Sequence, residues 1–225
     1  MVFLKEKNYS ARQRPTDCWN ARLLECATYT DRWEFPVFPC ANAIPTELHS
    51  FRYIDSNVSN SSWIHFYGFD EYLEDVWDNP EIWATRLKRF AGVISPDLSI
   101  YRDMPLAQQI YNVYRNRVLA HWFAQKGISV IHNVRCADQR SFDFAFEGIE
   151  RNGTICVSTS GILFDREDRT VFIHGFDAMM KVLSPQTVLV YGSMPSDIFG
   201  KHVAGNARFV QYDIDTQKAH QRGDC

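Results

Sequence analysis

Gly92-Val93-Ile94-Ser95-Pro96, then Pro105 to Lys126, then Gly127, then Ile128-Ser129-Val130-Ile131: the fold is decided in this stretch. The first segment is a short apolar run that Pro96 helps to stop. The second places Leu106, Ile110, Val113, Arg117, Ala120 and Ala124 at helical spacing, on one face of a long helix. Gly127 supplies the residue that most often closes a helix, and a second apolar run follows. Both runs are continuous and do not alternate, as expected of parallel strands covered on both faces.

The same alternation of strand and helix extends outward in both directions. Before it, Trp63 to Tyr67 reads as a strand and Asp70 to Phe90 as helix with a break at Pro80, where Asn79-Pro80-Glu81 looks like a cap with proline in the first turn. After it come a strand at Thr154 to Val157, a helix from Val171 to Leu183 ended by Ser184-Pro185, and a strand at Thr187 to Tyr191. A short helix from Asp197 and a strand at Arg208 to Tyr212 complete the pattern, while Ser141 to Phe146 fits either helix or strand. The fold class is therefore α/β, a mostly parallel sheet of strand–helix units built as an open doubly wound sheet or a partial barrel. Residues 63–215 form that domain. Residues 1–62, with prolines at 36, 39 and 45, read as an irregular N-terminal extension packed on the core, and 216–225 as a polar tail.

Composition narrows the function classes. At 225 residues the chain buries a sizeable core without staples. A net charge of -3 disfavours direct nucleic-acid binding through bulk charge, though Arg115, Arg135 and Arg140 are available for a local patch. The mixed-charge start has no apolar signal region, and no apolar run is long enough for a bilayer, so a cytoplasmic protein without membrane contact is expected. The six cysteines form no C-x-x-C pair and read as reduced thiols. Cys18, Cys26 and Cys40 have no known zinc spacing, so no metal site is assigned, and no motif names a cofactor.

Parallel strands put their C-terminal ends on one rim, where ligands bind. The residues just after each strand are Asp97, then Asn133 and Arg135, then Ser158, Thr159 and Ser160 before Gly161, then Tyr191. The Ser/Thr/Gly turn offers N–H groups and hydroxyls to a phosphate, although it lacks a Walker lysine and a dinucleotide fingerprint. Arg102 and Asp103 precede the long helix, where Asp103 is either a cap or a site residue. Arg117, on the apolar stripe, needs a carboxylate such as Asp97 or an anionic ligand, and Arg115 neighbours it. Asp97 and His132 are the candidate catalytic carboxylate and acid–base. The alternative for the whole set is that strand ends simply meet polar loops.

Val93-Ile94-Ser95-Pro96-Asp97, Tyr101-Arg102-Asp103-Met104-Pro105, Tyr111-Asn112-Val113-Tyr114-Arg115-Asn116-Arg117 and Asp197-Ile198-Phe199-Gly200-Lys201 carry a resemblance. Over about Cys18 to Tyr212 the chain resembles the uncharacterised domain-of-unknown-function family 4417 of Gram-positive bacteria, their phages and mobile elements. It departs at Cys136-Ala137, where the family usually has Trp-Gly. The resemblance implies a shared fold and a phage or mobile-element setting, and no reaction. Two functions are then expected. One is binding or processing of a phosphorylated or nucleotide-like ligand at the rim. The other is non-catalytic binding of a protein partner from DNA metabolism or host defence, such as an integrase or replication protein, with Trp19, Trp33, Trp77 and Trp83 as anchors.

Overall fold

The computed structural model describes residues 5–6, 17 and 19–222. Most of the arm expected over Met1 to Asp17, together with Cys18 and Cys225, lies outside the described residues. Seven parallel strands form the main sheet: β4 (Leu48–Ser50), β5 (Trp63–His65), β6 (Gly92–Ile94), β7 (Val130–Asn133), β8 (Thr154–Ser158), β9 (Thr187–Tyr191) and β10 (Arg208–Tyr212). Three short strands, β1 (Lys5–Glu6), β2 (Thr28–Tyr29) and β3 (Pro36–Val37), form a separate antiparallel sheet.

The spatial order of the seven strands is their chain order, with no reversal. Right-handed crossovers then place every connecting helix on the same face. The result is a partial barrel, curled to half closure, and the doubly wound alternative falls because it needs a point where strand order reverses.

Strand parity confirms the sidedness. Ile64, Val93 and Val130 pack in the core under α1 (Asp70–Asp78), α2 (Pro80–Leu87) and α3 (Leu106–Gln125). Ile155, Val157, Val188 and Val190 pack under α4 (Arg166–Leu183) and α5 (Ser196–Val203). The alternate residues Leu48, Trp63, Ile94, Ile131, Cys156, Leu189 and Tyr191 form a second core on the concave face. That face is filled by chain on its open side. Tyr212 donates to Pro45 O at 2.7 Å, and Lys218 of α6 (Asp215–Arg222) donates to Leu48 O at 2.6 Å.

Local sequence explains the helix ends. α2 starts on Pro80, as its cap signal requires. α3 ends before Gly127, whose φ of 79° suits a residue with no Cβ. α4 begins five residues earlier than its apolar period predicts, because Asp165 caps it by accepting from the N–H groups of Glu167 and Asp168. Ser141 to Phe146 resolves into a 3-10 turn over Gln139–Asp143.

The boundaries drawn from sequence shift at both ends. β4 joins the sheet from inside the stretch read as extension, and α6 occupies much of the stretch read as tail. β4 is three residues long, too short for any periodic signal. The extension is also woven into the sheet. Ala41 N donates to Val130 O at 2.8 Å, and Asn42 Oδ1 accepts from Thr154 N at 2.9 Å. Residues 38–42 thus pass between the N-terminal ends of β7 and β8. Phe38 packs on the helix side and Ala41 and Ala43 on the concave side.

Gly92 makes β6 fit beneath Trp63. A Cβ there would lie 2.5 Å from Trp63 Cζ3 and 2.8 Å from Ser129 O. Gly92→Ala is expected to destabilise the fold by about 1–3 kcal/mol, read as a lowered urea midpoint at unchanged slope.

Candidate functional site

Period-two alternation decides which strand-end residues share a site. Asn133 pairs in register with Cys156 on the concave face, whereas His132 pairs with Ile155 on the helix face. Continuing the concave parity brings Tyr67, Arg135, Ser158 and Tyr191 to the rim. Asp97 reaches the same place from the turn after β6. They border a cleft of about 750 Å³ that also takes in Arg52, Phe69, Tyr101, Arg102, Asp103 and Ser160.

Asp97, 6% exposed, sits at the centre. Its Oδ1 accepts from Asn133 Nδ2 at 2.6 Å and its Oδ2 from Arg135 Nη1 at 2.8 Å. Burial works against the Arg135 charge, but the Asp97 carboxylate outweighs it and holds the guanidinium above its ordinary value. Arg135 also lies 5.5 Å from the Tyr101 ring centroid, and Ser95 Oγ fixes the strand end by accepting from Asn133 N at 2.9 Å. Carboxylate, carboxamide and guanidinium are thus mutually oriented before any ligand arrives.

Beside them stands an aromatic wall. Tyr67 and Tyr191 stack with centroids 4.7 Å apart, and His65 lies 4.3 Å from Tyr191. The Tyr67 hydroxyl lies 3.0 Å from both Asn133 Oδ1 and Cys156 Sγ, and its single proton serves one of them at a time. Burial, with Cys156 and Asp97 nearby, raises the Tyr67 phenol well above its usual range. Burial likewise pushes the Cys156 thiol up to about 12, so it is a neutral thiol and not a nucleophile at neutral pH. His65 Nδ1 accepts from Tyr67 N at 3.2 Å, which leaves the proton of the neutral ring on Nε2, 3.6 Å from Asp215 Oδ1.

Several residues singled out from sequence play other parts. His132 is fully buried with both ring nitrogens unpartnered, 4.1 Å from the Phe38 ring, on the wrong face for acid–base work at the rim. Arg117 does not meet Asp97; it bonds Asn116 Oδ1 at 2.6 Å and Ala145 O at 2.9 Å. Arg115 is held by Glu74, with both carboxylate oxygens at 2.8 Å, and ties α3 to α1. Arg102 pairs with Glu167 and Asp168, joining the turn before α3 to the start of α4 across the cleft. Asp103 is exposed on the cleft wall; the residue preceding α3 is Pro105, so Asp103 does not cap it.

The Ser/Thr/Gly turn is closed on itself. Thr159 N donates to Tyr191 O and its hydroxyl to Ser193 O, while Ser160 N donates to Ser158 Oγ. Those N–H groups are engaged locally, so this turn is no ready cradle for a phosphate. Ser158 remains on the cleft. His65, Tyr67, Cys156 and Asp215 were missed. Extending parity from Trp63 would have found the first two, since 63, 65 and 67 point the same way. Nothing in the sequence signals that Asp215 returns to the start of the sheet. Of the cysteines read as free thiols, Cys26 is exposed and Cys40 donates to Thr154 O at 3.3 Å.

Two outcomes follow. Asp97→Ala strands the Arg135 charge and is expected to cost about 2–3 kcal/mol in chemical denaturation, while replacing Asp97 and Arg135 together by apolar residues recovers part of that loss. Burial holds His132 well below its ordinary value, with the Arg117 charge adding to the effect. Its folded pKa is thus depressed: its contribution is complete above about pH 6.5 and falls away as pH drops below that, by about 1.4 kcal/mol per unit. His132→Leu should flatten the stability profile between pH 7 and 5, measured by urea melts at each pH; an unchanged slope would remove His132 from the account.

Comparison with known proteins gives this geometry its relatives. Gene 1 protein of Mycobacterium phage L5 is 31% identical over 165 residues, 72% of this chain and 72% of the phage protein. Gene 1 protein of Mycobacterium phage D29 is 29% identical over 165 residues, 72% of this chain and 61% of that protein's length. No solved structure matches. The family model described as Domain of unknown function (DUF4417) matches residues 27–213, from β2 through the whole main sheet, and the chain belongs to that family.

Proposed function

We propose that the cleft binds a small nucleotide-like ligand, with its planar part against the aromatic faces and its anionic part toward Arg52 and Arg135. The observation that carries this reading is the convergence of Tyr67, Asp97, Arg135, Ser158 and Tyr191, from five strands, on one open cleft. Such a cleft has the size and the mix of apolar walls with few polar groups that small-molecule sites show. Phe69, 69% exposed, and Tyr101, 50% exposed, offer planar faces at its mouth. Asp97 and Ser158, which border the cleft, can read hydrogen-bonding edges. Among the described residues Arg52 has no carboxylate in ion-pair range; it stands 4.2 Å from the Tyr72 ring centroid.

Direct nucleic-acid binding fits less well. Arg115, Arg135 and Arg140 are each engaged by a carboxylate, of Glu74, Asp97 and Asp138 respectively. A partner protein on the rim is a second reading, favoured by Phe164, 96% exposed at the loop before α4. The tryptophans do not support it as a set. Trp77 and Trp83 are core residues, Trp33 is half-buried with its indole N–H on Asp143 O, and Trp19 is exposed.

Thermal melts with nucleosides and nucleotides at millimolar concentration test the proposal. A nucleotide should raise the melting temperature more than its parent nucleoside. Arg52→Ala should weaken nucleotide binding about tenfold and leave nucleoside binding unchanged. A flat response across the panel removes the ligand reading. Photo-crosslinking from position 164 in expressing cells then tests the partner reading.

A further inference from the structure

Next to the cleft, sharing Arg135 with it, lies a smaller cavity bordered by Leu98, Asn112, Asn116, Arg117, Asn133 and Ala145. About 20 Å³ of it is open to the centre of a water-sized sphere, enough for one water and for a slightly larger monoatomic ion. Its polar wall is dominated by Arg117, which is 2% exposed.

Arg117 has no carboxylate in contact. Its hydrogen bonds go to neutral oxygens only: Asn116 Oδ1, Ala145 O and, at 3.5 Å, Glu147 O. A guanidinium has five N–H donors, so two are left over. Among the described residues no carboxylate oxygen comes within 4.0 Å of it. Glu147 is the acidic group that Arg117 feels, and its Oε1 is engaged by Trp33 N at 3.2 Å. The second guanidinium at the cavity, Arg135, consumes Asp97. Arg117 therefore lacks a contacting carboxylate, Glu147 acting on it only from beyond ion-pair range, in surroundings where a charge without a close counterion is costly. The neighbouring His132 is held neutral, partly by Arg117 itself.

We infer that this cavity is a binding site for a single halide-sized anion, chloride under ordinary conditions, held by Arg117 with Arg135 and Asn112 beside it. An anion there supplies the contacting negative charge that Arg117 otherwise lacks. The site shares Arg135 with the cleft, but Arg117, on which its test turns, does not border the cleft.

The full chain is melted in sodium chloride, sodium bromide and sodium gluconate at matched ionic strength. Wild type should show a saturable rise in chloride and bromide, roughly 3–5 °C at ten times the half-saturating concentration, and none in gluconate. Arg117→Met should melt alike in all three salts, and Arg117→Lys should keep part of the halide response. Equal melting of wild type in chloride and gluconate overturns the site, as does a full halide response in Arg117→Met. Should Arg117→Met fail to fold, a bromide-soaked crystal of wild type decides: an anomalous peak between Arg117, Asn112 and Ala145 supports the site, and a water there overturns it.

Discussion

Seven parallel strands laid side by side in chain order have one consistent way to connect. Each crossover turns to the right, so each helix lands on the same side, and the sheet curls around the side left bare. Everything else in this molecule depends on that constraint. It divides each strand into a face that meets helices and a face that meets the hollow. It also gathers the strand C-termini into an arc, so that residues as far apart in sequence as Tyr67 and Tyr191 become stacked neighbours. Chemistry at the rim is a product of topology before it is a product of any motif.

Inside the arc, the Asp97–Arg135 pair shows how the protein handles charge at a half-buried edge. Arg135 keeps about a quarter of its side chain exposed, while Asp97 is nearly covered and receives a second donor from Asn133. The carboxylate is over-determined, and the guanidinium retains donors that face the cleft. A ligand group meeting Arg135 therefore joins an existing network and does not have to organise one, which lowers the cost of binding.

Much of this could be read from the chain alone. The continuous apolar runs at Val93, Val130, Ile155, Val188 and Phe209 gave the parallel strands, and Pro80, Gly127 and Ser184 marked helix ends, because these signals act over a few residues. Whether the sheet was doubly wound or curled could not be read, since that depends on strand order. The rim set was legible in part. Asp97, Arg135, Ser158 and Tyr191 border one cleft and Asn133 holds Asp97 from behind it, whereas His132 fails for a reason available beforehand: adjacent strand residues face opposite ways, so His132 and Asn133 could not both have served one site. Arg117 was correctly read as buried, but two of its three oxygen partners, Ala145 O and Glu147 O, come from 28 and 30 residues further along. No local pattern encodes such a meeting.

On the hollow side of the half-barrel the segment from β10 into α6 closes against the stretch around β4. Tyr212 and Lys218 reach back to Pro45 and Leu48, contacts that span 167 and 170 residues. During synthesis the strands can pair in the order they emerge, each beside its predecessor. The hollow, however, stays wet until the segment carrying Tyr212 and Lys218 leaves the ribosome. Leu48, Trp63, Ile94 and Ile131 thus wait exposed in a nascent chain, and assembly ends with a long-range closure of the kind that slows folding and invites association between unfinished copies.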